Sequence, residues 1–557
     1  MEPWILGVEA LHGLGAAAGG MEKSEDLVQN GKSETEGPDL RSVFSIGLLT
    51  LLSRVLGLVR EATRAFFLGT GVAADVFQLA FQIPNMLRSM VAEGAVSSAV
   101  VPVLTRYVHG SDTKELEEVR EKYLFAWFLL VVTATLAGVL FAGYLLSFVL
   151  SSTRESEPEK FALTVELTRI MFWYLCFVGL AASLQGVLHA HGRFTGPAFS
   201  PVLFNLAFIA AGWIAAPYFP GDEVYVFSGA VILGGSMQFV LLAVLVWRMG
   251  VRPRLLWPFA NPGVREIRKL LVPVVFGAGV YQLNMFISTL LAWRFDDDGY
   301  VAALGYSSRL MEVVLGVFVF ALNTVSLTTL SRLASAGDEK GFSDTLGTVL
   351  RLTLFITIPS AVGLYLLRQP IVSMLFQSGQ FNAESLRLTT DVFQYHILGL
   401  CFVGLARVLV SAFYSMKNIR TPVLAGIANL LVCVPLAWWL SSGPMSYKGI
   451  ALAASVAAVV QVVLLVVMMV PRIKHFEFGA LLGSILRCVA ASGLMGLAVW
   501  QASGLLELEG GGYGKLALVG LVLAVILGGA GLYFLLSRLL GMEEGAMLLK
   551  GMRRRRS

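Results

Sequence analysis

The chain has 557 residues, 56% of them hydrophobic and 14% charged, with a mean hydropathy of +0.74. A soluble domain carries about 25% charged residues, so the composition excludes one and points to a polytopic helical membrane protein; a β-barrel is excluded because the apolar runs far exceed its roughly 10-residue alternating strands. The net charge of +5 has no soluble basic domain to carry it, so it reads as loop asymmetry across a membrane and not as a nucleic-acid site.

Residues 1–20 lack a basic leader and a sufficient apolar core, which makes them a poor signal peptide. Their glycines follow no strand, so a dinucleotide loop is not expected. Residues 21–40, "MEKSEDLVQNGKSETEGPDL", read as a disordered tail, with Met21 an alternative start of translation.

Fourteen helices are then expected, near 42–65, 73–105, 122–150, 161–189, 198–217, 224–248, 266–293, 300–332, 344–368, 385–415, 421–441, 448–470, 479–502 and 515–539. Pro84 should break the hydrogen-bond ladder of the second. One set of loops is basic, with Arg106, Lys114, Arg120 and Lys122, then Arg248 to Lys269, Lys417 and Arg420, and Arg472 and Lys474. The alternate loops hold "ESEPE" (155–159), "GDE" (221–223) and "DDD" (296–298). The positive-inside rule puts the basic set in the cytoplasm, together with both termini and the "RRRR" of 553–556.

The chain also repeats itself. "LCFVGLA" stands at 175–181 and again at 400–406; Pro201 answers Pro422, and Arg106 answers Arg332, all at spacings of 221–226 residues. The period spans six helices, so two halves share an orientation, as in transporters with a substrate site between repeats. The last two helices are an addition to that core.

Charges inside the spans carry the functional signal. Arg54, Arg60 and Arg64 lie on the first helix, Asp75, Arg88 and Glu93 on the second, and Arg309 and Glu312 on the eighth. An arginine at mid-membrane costs about 2.5–3.5 kcal/mol, so it faces a cavity, pairs with an acid or snorkels. Arg64, near a helix end, is expected to snorkel. Asp75 begins a helix, where the dipole favours a carboxylate. Glu93 and Glu312 either neutralise neighbouring arginines or act in function. Arg54, Arg60, Arg88 and Arg309 outnumber the acids, which suits an anionic substrate, because guanidinium matches phosphate.

Other chemistries find no support in the sequence. Cys176, Cys401, Cys433 and Cys488 have no metal or disulfide spacing, and His189 and His191 lie at a helix end. There is no Walker loop and no Ser/His/Asp cluster, so neither a cofactor nor an enzyme is expected.

"SRVLGLVREA", "ADVFQLAFQIPNMLR", "AEGAVSSAVVPVL", "SSRLMEVVLGVF", "LFQSGQF" (375–381) and "AFYSMKNIRTPV" (412–423) closely resemble the MurJ/MviN family of lipid II flippases, from about residue 42 to 540. The resemblance implies an all-α polytopic fold of two six-helix lobes, 41–258 and 259–475, around a central cavity. A pair of helices within 476–542 would form a lipid-tail groove, and 543–557 a basic tail. It implies translocation of lipid II from the cytoplasmic to the periplasmic leaflet of a bacterial inner membrane. Partners would be lipid II, membrane lipids and peptidoglycan-synthesis machinery. The first, second, seventh and eighth helices would line the cavity. Arg54, Arg60, Arg88 and Arg309 would hold the pyrophosphate headgroup, while Asp75, Asn85, Glu93 and Glu312 would pair with them during gating. Ser89, Ser308 and Gln82 stand where relatives can carry charge, which thins the ion pairs implied. A different polyprenyl-linked glycan or amphiphile, or a non-transporting scaffold for cell-wall enzymes, are the competing readings.

Overall fold

The computed structural model describes residues 40–90, 96, 99–110, 112–251, 254, 256–257, 261–316, 320–508 and 515–547. The expected N-terminal tail and the tetrad 553–556 lie outside the described residues, as does Glu93. Every regular element among the described residues is helical.

The first half runs through α1 (Leu40–Leu68), α2 (Val72–Arg88), α3 (Val101–Val108), α4 (Thr113–Val149), the short α5 (Ser151–Ser156), α6 (Pro158–Ala190), α7 (Thr195–Ala210) and α8 (Glu223–Trp247). The second half repeats the order with α9 (Pro262–Trp293), α10 (Tyr300–Val314), α11 (Phe320–Ser335), α12 (Glu339–Leu366), the short α13 (Arg368–Phe376), α14 (Ala383–Leu398), α15 (Leu400–Ser415), α16 (Arg420–Ser441) and α17 (Lys448–Met469). Two further helices follow, α18 (Phe478–Leu508) and α19 (Lys515–Leu539). Some helices start at polar side chains that cap them: Asp112 accepts from the amides of Lys114 and Glu115, Asn261 from Gly263 and Val264, and Asn382 from Ser385.

Among the described residues, nine helices are long and apolar enough to cross a membrane, or ten if α14 and α15, bent by 48°, form one span. That criterion does not establish all fourteen expected crossings. The expected second and eighth helices are each interrupted: α2 and α10 pass into π geometry at 89–90 and 315–316. Pro84 does not end α2, which continues to Arg88; proline removes only its own donor, and the ladder is re-formed on the next turn.

One hydrophobic core joins both halves at one end of the bundle. It unites Ala65–Ile83, Leu146, Leu167–Val178 and Phe204–Val231 with Leu291–Leu315, Val372–Leu400 and Ala437–Ala453, the residues beside loops 150–157, 219–222, 294–299, 377–382 and 442–447. At the opposite end the core divides. Val103, Tyr123, Trp127, Val187 and Val246 pack within the first half, whereas Leu330, Leu346, Leu409, Phe413 and Leu465 pack within the second. A fourth cluster fixes α18 and α19 to α12, where Tyr533 donates to the Phe355 carbonyl at 3.0 Å. α9 reaches across the division. Its Ile267 enters the first-half core and its Glu266 meets Arg106 at 2.6 Å, while its Asn284 donates to Asn429 of α16 at 2.9 Å.

Candidate substrate cavity

Between the shared core and the divided end lies a cavity of about 480 Å³. α1 supplies Ser53, Arg54, Gly57, Arg60 and Glu61; α2 supplies Asn85 and Arg88; α10 supplies Arg309 and Glu312. α6, α7 and α8 close it with Tyr174, Gln185, Phe204, Asn205 and Gln238. Three further helices of the first half thus join the wall. On α9, Tyr281 stands within electrostatic range of Arg309 and Glu312.

All four arginines singled out in the sequence line this space. Arg309 donates to Glu312 at 2.7 Å, and Arg88 to the Asn85 side-chain oxygen at 2.9 Å. Arg54 lies along the backbone of Gly316, where a Cβ would come within 1.9 Å of Nη1. The residue that organises the others is Glu61, which the sequence reading passed over. One of its oxygens accepts a hydrogen bond from Arg60 at 2.6 Å and stands 3.6 Å from Arg309 Nε; the other is ion-paired with Arg64 at 3.1 Å. The signal was present, an acid adjoining Arg60 within an apolar run, but its partner on α10 is 248 residues away in the chain.

Arg64 does not snorkel. It is 5% exposed, donates to Gln78 at 2.5 Å and lies 4.4 Å from the Tyr306 ring centre. Burial became affordable because Glu61, Gln78 and an aromatic face together replace water. Asp75 does not meet an arginine either. Its two oxygens accept from the amides of Gly299 and Ala302, each at 2.7 Å, so it caps α10 from the opposite half. Arg407 on α15, a further cation absent from the sequence reading, stands within electrostatic range of Arg54 and Tyr281. It follows directly on the repeated apolar run 400–406, where the first copy has Ala182.

The closed end of the cavity is held by backbone as well as side chains. The Gln380 amide donates to the Phe66 carbonyl at 2.7 Å, Thr70 and Ser385 hydroxyls meet at 2.8 Å, and Tyr306 donates to the Gly69 carbonyl at 3.0 Å. Gly69 (φ +57°) and Gly379 (φ +58°) permit this crossing. A Cβ on Gly69 would lie 2.5 Å from the Gln380 oxygen, and one on Gly379 2.3 Å from the Phe66 oxygen. This explains the glycine of "LFQSGQF". Farther out, Lys160 meets Asp298 at 2.6 Å and Trp293 donates to Thr153 at 2.8 Å.

The arrangement presents guanidinium groups, backed by two glutamates, to a polar space that is sealed at one end. The profile of a family described as "Lipid II flippase MurJ" matches residues 64–539. The chain belongs to the MurJ family. A probable lipid II flippase MurJ of Vibrio cholerae is 34% identical over 439 residues, covering 76% of this chain and 82% of that protein. A lipid II flippase MurJ of Burkholderia cenocepacia is 36% identical over 401 residues, covering 70% and 76%. Among solved structures, "Lipid II flippase MurJ, inward closed conformation" superposes with a TM-score of 0.73 over 89% of this chain and 98% of that one, at 24% identity. An inward-facing multidrug transporter of the MATE family matches with a TM-score of 0.64 at 14% identity, covering 77% and 99%. These likenesses establish the MurJ-like fold within a wider transporter architecture, and this chain is a multi-pass membrane protein of that family.

Proposed function

We propose that this chain is a lipid II flippase that carries the lipid-linked precursor across a bacterial inner membrane by alternating access. The observation that carries the reading is the cavity, where four arginines face two glutamates between the halves of a MurJ-family fold. A dianionic pyrophosphate supplies the missing negative charge, and the guanidinium groups replace part of its hydration.

Arg54, Arg60, Arg88 and Arg309 hold the headgroup in this reading. Glu312 and Asn85 keep Arg309 and Arg88 placed until substrate arrives; Glu93 retains the gating part that the resemblance gives it. Asp75 acts at the sealed end as a latch between halves. The lobes 41–258 and 259–475 rock about the cavity, and helices within 476–542 offer the polyprenyl tail an apolar path. With the basic loops and both termini in the cytoplasm, the divided end faces inward and the sealed end faces the periplasm. The conformation is then the one that accepts substrate.

The test uses bacteria depleted of their own flippase and rescued with this protein, with lipid II exposure on the outer leaflet as the readout. Wild type is expected to restore exposure. Arg309→Ala at matched expression should lower it about tenfold or more, the worth of a charge-assisted hydrogen bond to phosphate. Wild-type protein that expresses well and restores nothing would overturn the reading in favour of another lipid-linked glycan. Full rescue by the variant would remove Arg309 from the essential set.

A further inference from the structure

A second concavity lies on the outward surface of the first half, between α4 and α6. It has a volume of about 430 Å³ and is lined by Gly143, Phe161, Val165, Glu166, Arg169 and Ile170 among others. Gly143 creates the space: a Cβ there would lie 3.4 Å from Arg169 Nη2 and 3.5 Å from a Val165 methyl. Arg169 is exposed, and among the described residues it forms no ion pair. Its neighbour Glu166 is engaged elsewhere, accepting from the Tyr225 hydroxyl at 2.9 Å. Tyr144 and Trp173, 81% and 44% exposed, lie next to Gly143 in the chain and one helical turn beyond Arg169.

The level of this site in the bilayer follows from the sequence. Residues 170–192 contain no Asp, Glu, Lys or Arg, and at 1.5 Å per residue they span about 34 Å, close to the thickness of the hydrocarbon core. Arg169 therefore stands where the hydrocarbon ends and the headgroups begin, at the end of the bundle that carries the acidic loops. Tyrosine and tryptophan are enriched at that level.

We propose that this concavity binds the headgroup phosphate of an anionic glycerophospholipid, with Arg169 as the phosphate ligand and Val165, Ile170 and Phe161 against the upper acyl chain. The guanidinium fork matches a phosphodiester, and the apolar wall continues toward the membrane interior. Assignment to the outer leaflet rests on the orientation in the functional reading; binding itself does not.

The experiment places full-length protein in phosphatidylcholine nanodiscs doped with photoactivatable phosphatidylglycerol and quantifies label on peptides covering 139–173. Arg169→Ala is expected to reduce that label about fivefold, the effect of one basic residue at an anionic surface, whereas Arg169→Lys should retain most of it. Gly143→Val fills the space without changing charge and should also reduce label. Unlabelled phosphatidylglycerol should compete, and phosphatidylcholine and inorganic phosphate should not. Equal labelling of wild type and Arg169→Ala overturns the proposal, as does competition by inorganic phosphate alone. No lipid II is present, so failure here and failure of the flippase reading are read separately.

Discussion

Glu61 and Glu312 both pair with Arg309, yet their surroundings differ. The Glu61 side chain is 7% exposed and shared among three guanidinium groups; that of Glu312 is 45% exposed. Removing one member of a buried ion pair costs about 3–5 kcal/mol, because the remaining charges stay desolvated. A half-exposed pair is worth at most about 1 kcal/mol. Thermal unfolding in detergent should therefore fall much further for Glu61→Gln than for Glu312→Gln, and the reverse order would refute the central place given to Glu61. Gly316 makes the complementary case. A methyl group there meets the end of the flexible Arg54 side chain, which can move, so Gly316→Ala should leave the unfolding temperature nearly unchanged. The displaced guanidinium should weaken lipid II binding about tenfold, the value of one charge-assisted contact. Unaltered binding would show that Arg54 does not touch the substrate from its present position.

At the scale of helices, α10 begins at Gly299 without a side-chain cap of its own, and Asp75 of α2 supplies one. A cap is worth about 0.5–2 kcal/mol; because this one joins two halves, losing it shifts the balance of conformations as well as the end of a helix. Asp75→Ala should raise labelling of a cysteine at Ser385 by a membrane-impermeant thiol reagent on the sealed side, by about twofold to thirtyfold for that free energy. Unchanged labelling would reduce Asp75 to a local cap. The same residue marks the limit of legibility. The helices could be read because long apolar runs are a local signal, whereas the start of α4 at Thr113, capped by Asp112, lies nine residues before the expected one because its first turns are charged. The four cavity arginines could be read because charge is rare in such runs. The partner of Asp75 could not: its position near the start of α2 explains it adequately, and its actual contacts lie on another helix. The bend at Gly399 was hidden for the same reason, since the group occupying the place of its side chain is Ser455 on α17.

For the whole molecule, the decisive feature is one core at the sealed end and two at the other. Alternating access requires the shared core to part, exposing residues such as Tyr306, Phe376 and Phe381, which are now fully buried. Two states can interconvert only if their free energies differ by a few kcal/mol, so the divided end must gain comparable burial when it closes. On the proposed function, substrate in the cavity favours that closure by neutralising guanidinium groups that closure brings closer together. Preventing separation at the sealed end should then stop transport while leaving binding intact. Thr70 and Ser385, whose hydroxyl oxygens meet at 2.8 Å across the halves, are the positions to join. The double variant Thr70→Cys/Ser385→Cys, oxidised, is expected to bind lipid II as wild type does but to lose transport, and to regain it on reduction. Each single variant should transport throughout. Oxidised, fully cross-linked protein that still moves lipid II would show that the sealed end need not open there, and that the headgroup leaves by a path other than the one between the halves.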